Sequence, residues 1–204
     1  MEKNLKRMAT MHRMQVTGLE LFYKNGFYNT SIDEILMELT LSKGAFYYHF
    51  KSKEDFFISI LQNLVVSKVY SMLIEPIEGH ENPLDLISTC LEEALQTAEH
   101  NENDYGFVLN NFMNEFKGKN PEIMKYLNDT LQIWEVNLVS ALQRGKFNGY
   151  VDRHVDCEGV ASYIMSSFLG IRTLMVEGSA TALRYRYMQQ LKFYFRAMAQ
   201  KQPA

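Results

Sequence analysis

Three helix-start signals fall between Ser31 and Ser52, and together they leave that stretch little freedom in how it folds. Ser31 with Glu34 has the S-x-x-E form of a capping box, in which each side chain satisfies the other residue's backbone N–H. Ser42 is a favoured N-cap, and Ser52, with Asp55 three residues on, is another. The first helix must therefore stop near Leu39, with Thr40 and Leu41 as the break. The second has room only from Ser42 to Phe50. Ile32, Ile35, Leu36 and Leu39 recur at helical spacing and give the first helix one apolar face. Phe46 and Phe50, four apart, point inward together from the second. Lys43, Tyr47, Tyr48 and His49 are left on its other faces.

A short helix anchored by two phenylalanines and carrying Lys, Tyr and His outward has what a reader of the DNA major groove needs, with the preceding helix as its brace. Gly44 has no side chain, so the backbone there admits a close approach. The free N–H groups and partial positive charge of a helix N-terminus suit a phosphate oxygen. Tyr hydroxyls and His can donate to phosphates, and Lys43, Lys51 and Lys53 add charge. Singly, each residue reads better as a semi-buried aromatic or a solvated charge. The combination with two capping signals and two short helices points to DNA.

The segment Leu19 to Phe57, and within it SKGAFYYHFKSKEDF, resembles the N-terminal DNA-binding domain of the TetR family of bacterial transcriptional regulators. That resemblance implies operator contacts at Lys43, Gly44, Tyr47, Tyr48, His49 and Lys53, with Ser31 and Ser42 beside them. It places Ala45 at a variable position used for base choice. Leu41 departs from the polar residues common there. The implied fold is all-α: a three-helix helix-turn-helix domain over residues 1–52, then a helical effector-binding and dimerisation domain over 53–204, about nine helices in all.

Charge is distributed accordingly. Residues 1–53 hold eight Lys or Arg and five acidic residues, net +3, while the remainder is net −6. A basic head on an acidic body directs phosphate binding to one end. Lys3, Lys6, Arg7 and Arg13 make a basic start, read as a flexible arm and first turn. No apolar run is expected to be long enough to span a bilayer, and MEKNLKRMAT lacks a signal peptide's apolar block, so a cytoplasmic protein is expected. Cys90 and Cys157, without C-x-x-C spacing, read as reduced core thiols. The four prolines and eleven glycines sit mainly between periodic segments, as in an all-helical fold.

The first helix is expected over about Leu5–Asn25, with Met11, Met14, Gly18, Leu21 and Phe22 inward, Gly26 as its C-cap and Phe27 folding back. Gly18 reads as a close-packing position. A long helix from Lys53 to about Glu75 reads as the lever between head and body. Asn82 and Pro83 start the next, which ends near His100 before a polar turn, Asn101–Asp104. In the segment from Tyr105 to Phe116, Leu109, Phe112, Met113 and Phe116 are apolar and Asn110, Asn111 and Asn114 form a polar strip. Asparagine is a poor helix former, so the strip either faces solvent or orients a ligand. GFVLNNFMNEF resembles a TetR-subgroup pattern, G-C-x-x-x-N-x-x-x-E, matched by Gly106, Asn111 and Glu115. Phe107 replaces the cysteine and removes thiol sensing there. Asn120 and Pro121 restart the chain to about Gly145. Candidate effector contacts are Phe107, Asn110, Asn111, Asn114, Trp134, Met165 and Phe168. For Trp134, core packing and ligand stacking are compatible readings if the core encloses a pocket. A lining of Met, aromatics and amides suits a small hydrophobic or aromatic effector.

The last two helices, about 156–200 with a break at Gly178, are the dimerisation candidates. Ala161, Ser162, Ser166, Ser167 and Gly170 allow close helix approach. Leu183, Tyr187, Leu191, Tyr194 and Met198 have coiled-coil-like spacing, and Tyr185, Met188, Phe193 and Phe195 make the last helix apolar nearly all round. The group Asp152, His154, Asp156, Cys157 and Glu158 lacks ligand spacing for a metal, and Asp156 reads as a helix start. No catalytic motif or cofactor signature is present, so neither a cofactor nor an enzyme is expected. The sequence thus points to a homodimeric repressor of operator DNA released by an effector. The alternative keeps the DNA-binding head, with a body that binds a protein or only dimerises.

Overall fold

The computed structural model describes residues 2–79, 81–99, 106–175 and 180–200. Among these are nine helices: α1 Glu2–Asn25, α2 Ile32–Leu39, α3 Lys43–Tyr47, α4 Lys53–Ile77, α5 Pro83–Glu99, α6 Val108–Phe116, α7 Pro121–Phe147, α8 Cys157–Leu174 and α9 Ala180–Met198. The all-α expectation holds. The stops expected near His100 and at Gly178, the turn Asn101–Asp104 and the start at Tyr105 lie outside the described residues.

Two compact units form. One comprises Met1–Lys68 and Val108–Asp129, the other Val69–Phe107 and Thr130–Ala204. The sequence division at residue 52 separates a reading motif from a body. Compactness divides the chain differently, because α6 and the first residues of α7 pack with the head. In the first unit Phe57 meets Phe112 of α6 at 4.8 Å and Phe116 at 5.0 Å between ring centroids. Phe27 meets Phe116 at 4.9 Å.

Local signals in this unit behave as read. The Ser31 hydroxyl accepts from the Glu34 N–H at 3.1 Å and the Glu34 carboxylate accepts from the Ser31 N–H, completing the capping box. Gly26, at φ +87, turns the chain out of α1, and Phe27 folds back to full burial. A Cβ at Gly18 would lie 2.6 Å from ring atoms of buried Phe56, so close packing does require glycine there. Thr40 ends α2 in the left-handed region, φ 54, with its N–H turned to the Leu36 and Met37 carbonyls. The basic start is not an arm: α1 is helical from Glu2. Within α1, Gln15 is buried among the apolar residues and donates to the Ser59 hydroxyl at 3.1 Å.

The second unit packs the end of α4 with α5, α8, α9 and most of α7 around Leu91, Leu95, Trp134, Leu138, Leu142, Ile164, Phe168, Leu191 and Phe195. Asn82 accepts from the Leu84 N–H and Asp156 from the Gly159 N–H, each capping its helix as expected. Helix α7 passes through Gly145 to Phe147. Glycine is needed there for approach rather than termination, since a Cβ would lie 2.5 Å from Pro83 and 2.7 Å from Val151. Both cysteines are buried and free. Within the chain the buried residues of α9 are Met188, Leu191, Phe195 and Met198, while Leu183, Tyr187 and Tyr194 of the coiled-coil-like set are half-buried.

The expectation that no apolar run could span a bilayer is corrected on length and composition. Lys53–Ile77 is 25 residues long, and its most apolar window has a mean hydropathy of 1.5, enough by length and composition to cross a membrane. Gln62, Asn63, Ser67 and Lys68 interrupt the apolar letters and conceal the run. Its apolar face is spent on packing: Phe56, Phe57, Ile60, Leu61, Val65, Val69, Leu73 and Ile74 are all buried. The helix is also irregular. Two π-helical turns, Leu61–Val65 and Tyr70–Ile74, flank an α-helical turn, Val66–Val69.

Candidate nucleic-acid interface

Residues 42–50 present a face built from the inside outward. Ser42 accepts from the Ala45 N–H at 3.3 Å and starts α3. The helix is shorter than the sequence implied, ending at Tyr47, but the chain keeps turning: the His49 and Phe50 N–H groups both bond to the Phe46 carbonyl. Phe46 is completely buried, 5.3 Å from Phe56, and Phe50 is 4.7 Å from Phe56. These anchors force Tyr47 and Tyr48 outward, 61% and 67% exposed. Lys43 is exposed beside them, and Ala45 is half-buried.

Gly44 bears on the function of this face. Its backbone is not in the left-handed region, and a Cβ would meet only the Ser42 hydroxyl, at 3.8 Å. Among the described residues nothing requires glycine there.

Other predicted contacts are engaged internally. The Lys43 ammonium pairs with Asp33 of α2 at 2.9 Å. The Ser31 and Ser42 hydroxyls are occupied as caps. The Lys53 ammonium donates to the Phe27 carbonyl and lies 4.2 Å from the Phe27 ring centroid, so its charge is directed into the domain rather than outward. Burial pushes its pKa down from the ordinary lysine value, and the carboxylates of Glu54, Glu115 and Glu34 oppose that shift. The Arg7 guanidinium stands 5.3 Å from the Tyr48 ring centroid, within reach of a cation–π contact. His49 is half-buried with Nδ1 enclosed and without a hydrogen-bond partner. Desolvation first, then the Arg7 charge, holds its pKa below the ordinary 6.5.

The effector candidates fall in both units. In the second, Phe168 stands edge-on to Phe107 at 5.5 Å and to Trp134 at 5.6 Å, all three buried, with Met165 half-buried. In the first, Asn110 and Asn111 are half-buried and Asn114 is exposed. Glu115, noted in the sequence only as a pattern match, accepts from the Tyr28 N–H at 3.0 Å. Asp33 and Glu115 are the residues whose roles sequence reasoning missed. Both act across helix breaks, where periodicity gives no register.

Residues 16–60 match the family described as bacterial regulatory proteins, tetR family. An uncharacterised helix-turn-helix transcriptional regulator of Lactococcus lactis is 29% identical over 118 residues, 58% of this chain and 60% of that protein's length. A TetR transcriptional regulator of Chloroflexus aurantiacus shares the fold with a TM-score of 0.86 at 24% identity, over 97% of this chain and 99% of that one. A regulator from Saccharomonospora viridis, solved in complex with choline, has a TM-score of 0.77 at 20% identity over 96% of this chain and all of that one.

Proposed function

The chain belongs to the TetR family of bacterial regulatory proteins, and from that premise we propose that it is a dimeric repressor that reads a palindromic operator through residues 42–50 and releases it on binding a small hydrophobic or aromatic molecule. The observation that carries the DNA reading is the exposed Lys43–Gly44–Tyr47–Tyr48 face, with a glycine that the chain's own packing does not need. In a dimer the two such faces must stand about 34–36 Å apart to enter successive major grooves. Ala45 offers its methyl toward a base, while Tyr47, Tyr48, His49 and the O–H groups that Ser31 and Ser42 retain while accepting as caps supply hydrogen bonds that set register on the backbone.

Pairing through α8 and α9 is favoured by what α8 leaves open. Tyr163, Ser166, Gly170 and Leu174 are exposed, and a Cβ at Gly170 would meet nothing within 4 Å. Tyr185 and Phe193 are large exposed apolar residues on α9. Exposed apolar area of this kind marks association surfaces.

An effector is supported by the aromatic and methionine content of the second unit and by the choline complex of the Saccharomonospora protein. Against it stands one observation: Phe168 packs edge-on to both Phe107 and Trp134, and all three side chains are buried. That observation favours the alternative of a body that binds a protein or only dimerises. A compound panel separates the two, because a true effector raises the melting temperature by mass action and lowers DNA affinity in the same concentration range.

The test of the DNA reading is selection of duplexes from a random library by the wild-type protein, then titration of variants over a range of salt. Lys43→Ala should weaken binding and reduce the salt slope by about 0.9, one phosphate contact. Tyr47→Phe should cost about 0.5–1.5 kcal/mol, one hydrogen bond. Unchanged affinity and slope for Lys43→Ala would refute this contact face.

A further inference from the structure

Lys43 is the only basic residue within α3, and its ammonium is 2.9 Å from the Asp33 carboxylate. Both side chains are about two-thirds exposed, 68% and 64%. An ion pair this open contributes little to a fold, about 0–1 kcal/mol. Asp33 is not needed to cap α2 either, because Ser31 and Glu34 already close that terminus. The pair's consequence therefore falls on whatever Lys43 binds.

If residues 42–50 meet DNA, which is the reading this inference rests on, Lys43 must leave or share Asp33 to neutralise a phosphate. A carboxylate left behind stands well within the screening length of the duplex, about 10 Å at moderate salt, and is repelled. It also recruits a cation from solution. That uptake offsets the counterion release that drives binding to DNA.

We propose that Asp33 is a specificity-determining residue, an electrostatic brake on Lys43 that weakens binding to all DNA and weakens it most where phosphates are the only contacts. On a selected operator, the base contact of Ala45 and the close backbone approach it allows at Gly44 hold α3 in place and offset the brake. On arbitrary sequence they do not. Asp33 thereby widens the gap between operator and bulk DNA, the quantity that matters against a genome of competing sites.

The experiment uses the full chain, fluorescence anisotropy and two probes: a short mixed-sequence duplex, and a duplex enriched from a random library by the wild-type protein. Asp33→Asn should bind the mixed duplex roughly three- to tenfold more tightly and steepen its salt slope by up to about 0.9. The enriched duplex should gain less. Asp33→Glu should retain the brake. In a Lys43→Ala background Asp33→Asn should gain clearly less, only the relief of direct repulsion between the carboxylate and the phosphates, and thermal unfolding of each variant establishes that the fold is kept. If wild type binds DNA and Asp33→Asn matches it in affinity and slope, the brake is refuted while the DNA reading stands. A gain that persists undiminished without Lys43 also refutes it, because the carboxylate would then act as general negative charge. If wild type binds neither probe, the DNA reading fails and the brake falls with it.

Discussion

Gly44 separates stability from function more cleanly than any other residue of the proposed interface. It lies in the first turn of α3, where glycine costs helix up to about 1 kcal/mol relative to alanine. The space around it in the protein is open. Gly44→Ala should therefore raise the unfolding free energy by up to about 1 kcal/mol and weaken operator binding, as read by denaturant melts and anisotropy on one preparation. His49 gives a pH prediction. Its folded pKa is depressed below 6.5 by desolvation and by Arg7. Its contribution to stability is then complete above 6.5 and is lost as pH falls through the lower folded value. Chemical melts should show unfolding free energy declining with acidification below pH 6.5, and His49→Gln should flatten that part of the profile. At this scale the sequence was readable wherever one residue acts on its own neighbours: the caps at Ser31, Ser42 and Asp156, the turn at Gly26, the tight contact at Gly18. It turned Lys53 toward DNA, because nothing in a sequence says whether a lysine at a helix start reaches outward or back to the carbonyl of Phe27.

Among the elements, α6 gains the most from the structure. The sequence presented it as a possible ligand strip and assigned the lever to α4. In the folded chain α6 shares a compact unit with α1–α3. It is tied to the α1–α2 turn by Glu115 on the Tyr28 N–H, by Phe116 on Phe27, and by Lys119, 4.9 Å from the Tyr28 ring centroid. A displacement of α6 would act on the turn before the reading motif through these contacts. Glu115→Ala removes the carboxylate that holds that turn. The expected outcome is operator binding that survives with less response to an effector, measured as a smaller ratio of DNA affinities without and with a compound that stabilises the wild type. An unchanged ratio would remove Glu115 from the coupling. The α6 link escaped sequence reading because the Glu115 carboxylate meets a backbone N–H 87 positions away, and no pattern in either segment encodes the other. The shorter α3 escaped for another reason. Its last residues turn through bonds shared on the Phe46 carbonyl, and the apolar spacing there is the same as in an α-helix.

For the whole molecule, the all-helical architecture followed from punctuation and periodicity. The grouping of helices into units did not, because periodicity shows which face is buried and never against what. The same gap leaves the α9 stripe ambiguous in sequence. Its apolar residues surround the helix, and only packing shows that Met188, Leu191, Phe195 and Met198 face inward. Tyr185 and Phe193 remain exposed. Assembly is the corresponding prediction. Gly170 on α8 has free space over it within one chain, so Gly170→Arg should leave the single chain folded. If α8 and α9 form the dimer, the substitution should convert it to monomer in light scattering and abolish tight operator binding, because two linked heads bind far more tightly than one.

The two wide turns in α4 carry a mechanical consequence. Each holds about one residue more than an ordinary α-helical turn, and they stand on either side of the place where the compact units divide, between Lys68 and Val69. Tightening either one would carry every later residue of the helix about 100° around the axis and about 1.5 Å along it. A helix with such slack at two points behaves as a screw thread: a slip of one residue becomes a rotation, and side chains that faced one neighbour would be presented to another.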